Sequence, residues 1–333
     1  MTINEIAKLA GVSRATISRY LNDGYVSQDK RDKIKQIIEE TGYTPSSYAQ
    51  TLRSKKTNYI GVIIPKIDSD SIGRMVSGIT SVLSKKNYQI LLASTNNNAS
   101  EELKYLRLFK ENHVDGIILL GTIFTKEHIK TLASYQVPIV ILGQNVKGYS
   151  CIYSDDYHAA LSLGRKLSKT STNPAMITVT SEDVAVGLNR RKGFIDAFKE
   201  NGKTIHKKNI KEVAFSFDAA YEACKELISN DKTIDAIMCA TDTIAAGAIK
   251  YLRETNLKVP EDIEVTGFGD SKLSLVSYPS ITTVHFFYED AGIKAASLVL
   301  DKINKKEKTS PNLGVQLEYN LVERESTKNS AKH

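Results

Sequence analysis

From Tyr59 onward, short β-branched and aliphatic runs alternate with longer amphipathic stretches, and this alternation restricts the possible fold more than any other feature of the chain. The runs at 60–64, 89–93, 116–120, 139–142, 175–180, 236–239 and 264–266 have the length and composition of strands. Between them, 72–85, 101–112, 191–200, 219–229 and 243–253 carry apolar residues at helical spacing. Continuously apolar strands separated by helices predict parallel sheets covered on both faces. More than ten such units in some 270 residues predict two doubly wound sheets rather than one.

Ligands of such sheets bind outside the carboxyl ends of the strands. Three loops at such ends carry carboxylates: Asp155-Asp156 after the 152–154 strand, Thr241-Asp242 after 236–240, and Gly269-Asp270 after Gly267-Phe268. A carboxylate accepts hydrogen bonds from vicinal hydroxyls. Asp directly after a strand is equally a common helix N-cap, so for Asp156 and Asp242 both roles stand open.

The first sixty residues follow another pattern. Thr2 and Glu5 make a Thr-x-x-Glu capping box. Ile6, Ala7, Leu9 and Ala10 then read as one apolar face, ended by Gly11. Ser13 caps a second helix with Ile17, Tyr20 and Leu21 inward; Asn22-Asp23-Gly24 breaks it, and Ser27 opens a third with Ile34, Ile37 and Ile38 inward, closed by Gly42. Two short helices around Gly11-Val12-Ser13 match helix-turn-helix spacing, in which the start of the second helix faces base edges in the major groove. Thr2, Ser13, Arg14, Ala15, Thr16, Ser18 and Arg19 are therefore the candidate DNA contacts in this segment. Arg14 suits guanine O6 and N7, and Ala15 a thymine methyl. Arg19, Lys30 and Arg31 suit phosphates. Helical spacing alone fits a plain three-helix bundle with a solvated basic face equally well.

Charge leans toward DNA. The chain of 333 residues has net charge +7, and residues 1–60 hold ten Lys/Arg against six Asp/Glu. Such a local excess suggests a polyanionic partner. A composition of 41 % hydrophobic and 25 % charged residues is that of a globular protein. Cys151, Cys224 and Cys239 have no metal-ligand spacing and read as reduced thiols. With no run of roughly 20 apolar residues and no basic-then-apolar leader, the expectation is a cytoplasmic protein.

Wording adds what spacing cannot. The run Ile3-Asn4-Glu5-Ile6-Ala7-Lys8-Leu9-Ala10-Gly11-Val12-Ser13-Arg14-Ala15-Thr16-Ile17-Ser18-Arg19, with Gly42-Tyr43-Thr44-Pro45 and Ala49-Gln50-Thr51-Leu52-Arg53-Ser54, closely resembles the lactose/galactose repressor family. More loosely, the resemblance covers nearly the whole chain. It implies a helix-turn-helix domain over 1–45 and a hinge over 46–58. A two-lobed effector-binding and dimerisation domain of the periplasmic-binding-protein type would follow over 59–328. The implied N-lobe is about 60–160 plus 290–322, and the C-lobe about 161–289. In the hinge, Leu52 matches the leucine that wedges into the minor groove of operator DNA and Ala49 the residue packed beside it; without the resemblance, 46–58 reads as a simple linker. Arg190, in Arg190-Arg191-Lys192-Gly193, matches the arginine that reaches the effector, and Thr241-Asp242 fits the family's Asn-Asp pair. Phe215 and Tyr288 stand where aromatics cover a sugar ring.

Two departures bear on the ligand. Thr241 replaces a usual Asn and Gly269 a usual Asp, both losses of hydrogen-bonding reach. The stretches 267–273, 282–288 and 320–327 look like sucrose-operon repressors of Gram-positive bacteria. Expected partners are thus pseudo-palindromic operator DNA, a small sugar related to sucrose or fructose, and a second copy of the chain. An export receptor sharing the two-lobed fold would have no use for residues 1–60. An enzyme would need a glycine-rich phosphate loop, a nucleophile elbow or a histidine cluster, and the sequence has none. No cofactor or metal is expected.

Overall fold

A computed structural model of the chain describes residues 1–43, 56–304 and 312–328. Its first helix, α1 (Ile3–Ala10), starts at Thr2, whose hydroxyl accepts from the Glu5 N–H. The Glu5 carboxylate accepts from the Thr2 N–H at 2.7 Å in return. Gly11 ends it at φ +63°, a left-handed conformation that costs glycine little. Ser13 caps α2 (Arg14–Tyr20), and α3 (Gln28–Thr41) follows. Ile6, Ala7, Ala10, Ile17, Ile34, Val26 and Tyr43 form the core of this bundle. Leu9 does not join it and is 53 % exposed. At about 100° per residue Leu9 falls outside the arc shared by Ile6, Ala7 and Ala10, which corrects the apolar face expected from sequence. Residues Met1–Asn58 make one compact unit and Tyr59–His333 another.

The second unit begins with β1 (Tyr59–Ile64), α4 (Asp70–Leu83), β2 (Gln89–Ser94), α5 (Ala99–Glu111) and β3 (Gly116–Leu119). Then come α6 (Lys126–Ala133), β4 (Ile139–Leu142), β5 (Ser150–Ser154), α7 (Asp156–Leu167) and β6 (Pro174–Thr178). A π-helical turn (Val184–Asn189) runs into α8 (Arg190–Glu200), followed by β7 (Ile210–Glu212), α9 (Phe217–Asn230), β8 (Ala236–Cys239), α10 (Asp242–Glu254) and β9 (Glu264–Thr266). The last elements are α11 (Lys272–Val276), β10 (Thr283–Phe286), α12 (Tyr288–Asn304), β11 (Gly314–Leu317) and β12 (Tyr319–Val322).

Two parallel sheets result. The first has the order β11-β5-β4-β3-β1-β2, with β1 in register Tyr59↔Gln89 against β2 and Ile60↔Gly116 against β3. The second has the order β7-β6-β8-β9, and the antiparallel pair β10-β12 adjoins it through a bridge between Thr266 and Thr282. Buried side chains cover both faces of each sheet, as continuous apolar strands require. On the first lobe, α4 and α12 cross with their backbones touching. A Cβ on Gly78 would lie 2.1 Å from the Glu289 carbonyl oxygen, and one on Gly292 2.0 Å from that of Met75.

The chain passes between the lobes at 154–156, 286–288 and 317–319. The partition differs from the sequence expectation at both ends. Helix α7, from Asp156, packs its Ala159, Ala160 and Leu163 with Phe194 and Phe198 of α8 in the second lobe. Strand β12, expected in the first lobe, pairs with β10 and places Tyr319 and Leu321 against that same core. Only β11 returns to the first sheet, pairing with β5.

Candidate functional site

Each sheet reverses its winding at one point: between β1 and β3 in the first, and between β6 and β8 in the second. Loops diverge there and leave a crevice. Those loops meet across one cleft of about 250 Å³. At roughly 30 Å³ per water molecule it suits a small solute and excludes a folded partner. Pro65 and Lys66 after β1, Leu120–Thr122 after β3, Asp183 after β6 and Thr241 after β8 all line it.

Arg190 and Asp156 sit at the bottom. Asp156 opens α7 and Arg190 opens α8, so the packing of these two helices brings the side chains together. Arg190 Nε donates to Asp156 Oδ1 at 2.7 Å, and Nη1 donates to the Ala240 carbonyl at 2.7 Å. The guanidinium lies beside the rings of Phe268 and Phe286, 4.7 and 5.0 Å from their centroids. Burial pushes the Asp156 carboxyl up, but the adjoining guanidinium does not deprotonate in proteins and holds the pair ionised. The Tyr288 side chain, at the start of α12, is hydrogen-bonded to the Arg190 guanidinium, and Tyr288 and Phe215 supply aromatic walls.

Asp242 also lines the cleft, yet it is not the helix cap. That role belongs to Thr241, whose hydroxyl accepts from the Ile244 N–H. The Asp242 carboxylate instead accepts from the Ser271 N–H at 2.7 Å and the Thr283 hydroxyl at 2.5 Å. Asp156 is not the cap of its helix either; Asp155 is, accepting from the His158 N–H. Asp270 departs from expectation altogether. At φ +49° its carboxylate turns behind the wall to Arg324 and to His285 Nδ1 at 2.8 Å, so it does not line the cleft. Hydrogen bonds from Arg324 and His285 lower its pKa despite its partial burial.

Several cleft residues carry no family wording in the sequence and emerge only in three dimensions. Gln144, after β4, donates through Nε2 to Asp183 Oδ1 at 2.7 Å and accepts through Oε1 from the Ala185 N–H, joining the two lobes. Arg74 on α4 pairs with Asp70 at 2.9 Å, lies 5.0 Å from the Tyr288 ring centroid and donates to the Gly269 carbonyl of the opposite lobe. Where Gly269 stands, the family's Asp would put a carboxylate; here a backbone carbonyl answers an arginine instead. The helical period of α4 does not show which of its residues faces a cleft rather than solvent, so Arg74 had no readable signal.

In the first unit, the Ser13 hydroxyl accepts from the Thr16 N–H and lies 2.9 Å from the Thr16 hydroxyl, so both are engaged locally. Thr2 is engaged as the cap of α1. Arg14, Ala15 and Arg19 are exposed, and Ser18 is half-buried. Arg31 is tied down: it donates to the Gly24 carbonyl at 3.2 Å and lies over the Tyr20 ring, which leaves Arg19 and Lys30 as the freer phosphate candidates. Ala49 and Leu52 lie outside the described residues. Among the described residues, no group of three His, Cys, Asp or Glu is placed to hold a metal ion. No helix is long and apolar enough to cross a membrane.

Comparison with known proteins agrees with both halves. Residues 2–46 match the profile "Bacterial regulatory proteins, lacI family", and 57–323 match "Periplasmic binding proteins and sugar binding domain of LacI family". The chain belongs to the lacI family of bacterial regulatory proteins. It is 35 % identical to the sucrose operon repressor of Staphylococcus xylosus, over 91 % of this chain and 92 % of that protein. It is 32 % identical to catabolite control protein A of Priestia megaterium, over 98 % and 99 % respectively. The solved lac repressor dimer bound to operator and an anti-inducer matches with a TM-score of 0.87 at 21 % identity, covering 98 % of this chain and 99 % of that one. These relatives are transcription regulators and not enzymes.

Proposed function

We propose that the chain represses a carbohydrate-utilisation operon by binding a pseudo-palindromic operator as a homodimer, and that a small sugar related to sucrose or fructose modulates it. The observation that carries the sugar half is the buried Arg190–Asp156 pair beside the Phe268 and Phe286 rings in a two-lobed cleft. A paired donor and acceptor beside apolar faces matches a polyol ring, which has hydroxyl edges and apolar sides. Likeness to the sucrose operon repressor supports the sugar class. The exposed start of α2, with Arg14 and Ala15 outward, supports major-groove reading.

Asp156, Arg190, Phe215, Thr241, Asp242 and Tyr288 form the proposed effector set, and Arg14, Ala15, Ser18 and Arg19 the outward part of the DNA set. In the hinge, Leu52 acts as a minor-groove wedge with Ala49 beside it. Sugar acts by differential affinity for two arrangements of the lobes, only one of which lets paired hinges dock. The test is selection of binding sites from a random duplex library, followed by titration of the bound complex with sucrose and fructose. A palindromic consensus released or tightened by either sugar is expected. Selection without a consensus, or a complex indifferent to both sugars, refutes the corresponding half.

A further inference from the structure

We infer that the effector is an uncharged molecule, and that the cleft is built to reject phosphorylated sugars; this deepens the sugar reading above and rests on it. The described cleft lining holds three cations, Lys66, Arg74 and Arg190, against five carboxylates, Asp68, Asp70, Asp156, Asp183 and Asp242. Each cation already has a carboxylate partner. Lys66 lies 3.5 Å from Asp68, Arg74 2.9 Å from Asp70 and Arg190 2.7 Å from Asp156. Asp183 and Asp242 remain, satisfied by neutral donors: Gln144 Nε2 and the Val186 N–H for one, the Ser271 N–H and Thr283 hydroxyl for the other.

The other usual seat for a phosphate is a helix N-terminus. Four of the helical N-termini in the lining present a carboxylate of the chain itself, whereas α11 contributes its cap Ser271 and α12 its first residue Tyr288. Asp70 is the first residue of α4, Asp156 of α7 and Asp242 of α10, while Asp183 caps the π-helical turn. The chain has thus placed its own anions at four of the positions where a phosphate would otherwise bind. A dianionic ester entering would meet a surplus of negative charge in a partly desolvated space, where such repulsion is weakly screened. Hydroxyls meet no such penalty, since they donate to the carboxylates and accept from Arg190.

The decisive experiment uses the full-length chain in calorimetric titrations with fructose, sucrose, fructose 1-phosphate, fructose 6-phosphate, sucrose 6-phosphate and hypoxanthine. A neutral sugar is expected to bind at least about 100-fold more tightly than its phosphate ester. Its affinity is also expected to change little with ionic strength. Equal or tighter binding of an ester overturns the inference and leaves the sugar reading standing. Binding of hypoxanthine alone does the reverse. Silence of the whole panel counts against both. Asp70→Asn, which deprives Arg74 of its carboxylate, should narrow the preference over the ester by about tenfold. An unchanged ratio in a variant that melts like the parent would contradict the charge explanation.

Discussion

Arg190 shows what a single buried ion pair contributes and what it risks. With both members of the Arg190–Asp156 pair almost wholly buried, removing the cation leaves an uncompensated carboxylate in the interior. Arg190→Met is expected to lower unfolding free energy by about 3–5 kcal/mol, read from urea melts. The double variant with Asp156→Asn should lose clearly less than the two single losses combined, because it leaves no orphan charge. At the DNA end, Arg14 is exposed at the start of α2. Arg14→Ala should cost about 1–3 kcal/mol on the selected operator and relax one position of each half-site. An equal loss on every sequence would show Arg14 to be a phosphate anchor. The sequence revealed Arg190 through family wording and Arg14 through its place at a helix start. Arg74 and Gln144 escaped because what defines them is a partner on the opposite lobe, and nothing in local spacing encodes that.

At the scale of elements, two contacts make predictions of their own. Helices α5 and α6 bury Glu102 against His128, with Oε1 and Nε2 3.4 Å apart and neither atom hydrogen-bonded. Burial pushes the Glu102 carboxyl up to about 7 and the His128 imidazole below its ordinary value. The carboxyl is protonated more readily folded than unfolded, so its stabilising contribution is full below about pH 4.5 and is lost as pH rises toward about 7. His128, depressed, works in the opposite sense below its unfolded value. Glu102→Gln should therefore match the parent near about pH 5 and exceed its stability by about 1–3 kcal/mol near about pH 8. Thermal melts across that range decide it; no gain at the alkaline end would refute the account.

The second contact is the α4–α12 crossing. Gly78→Val should destabilise by about 1–3 kcal/mol through overpacking against the Glu289 carbonyl, as urea titration would show. Among elements, the strands at 139–142 and 236–239 were legible to the residue because they are continuously apolar and fully buried. Strand β11 was not, since Gly314–Leu317 alternates exposed and half-buried positions at a sheet edge and forms no apolar run. The placing of β12 failed for a different reason. Two residues after β11 the chain has already changed lobes, and no turn signal marks the passage.

For the molecule as a whole, the cores of Met1–Asn58 and Tyr59–His333 are separate. A fragment of residues 59–333 should fold alone and show the same melting-temperature rise with the effector sugar as the full chain, while losing operator binding. A fragment that fails to melt cooperatively would show the first unit to be required for folding. Fold class was readable at this scale because alternation of strand and helix is a statistical property of the entire chain. The cleft was only half readable, because it is assembled from both lobes.

The late return of β11 to the first sheet governs the order in which the protein can be completed during translation. Domains usually fold in sequence as they leave the ribosome, but the first lobe cannot do so. Its sheet lacks its final edge, Gly314–Leu317, until after the sheet strands of the second lobe have been made, and α12 is also late. The second lobe likewise waits for Tyr319–Val322. Both lobes therefore close only after residues 314–322 have been made, and a ribosome that stops at residue 310 releases a polypeptide in which neither one is finished.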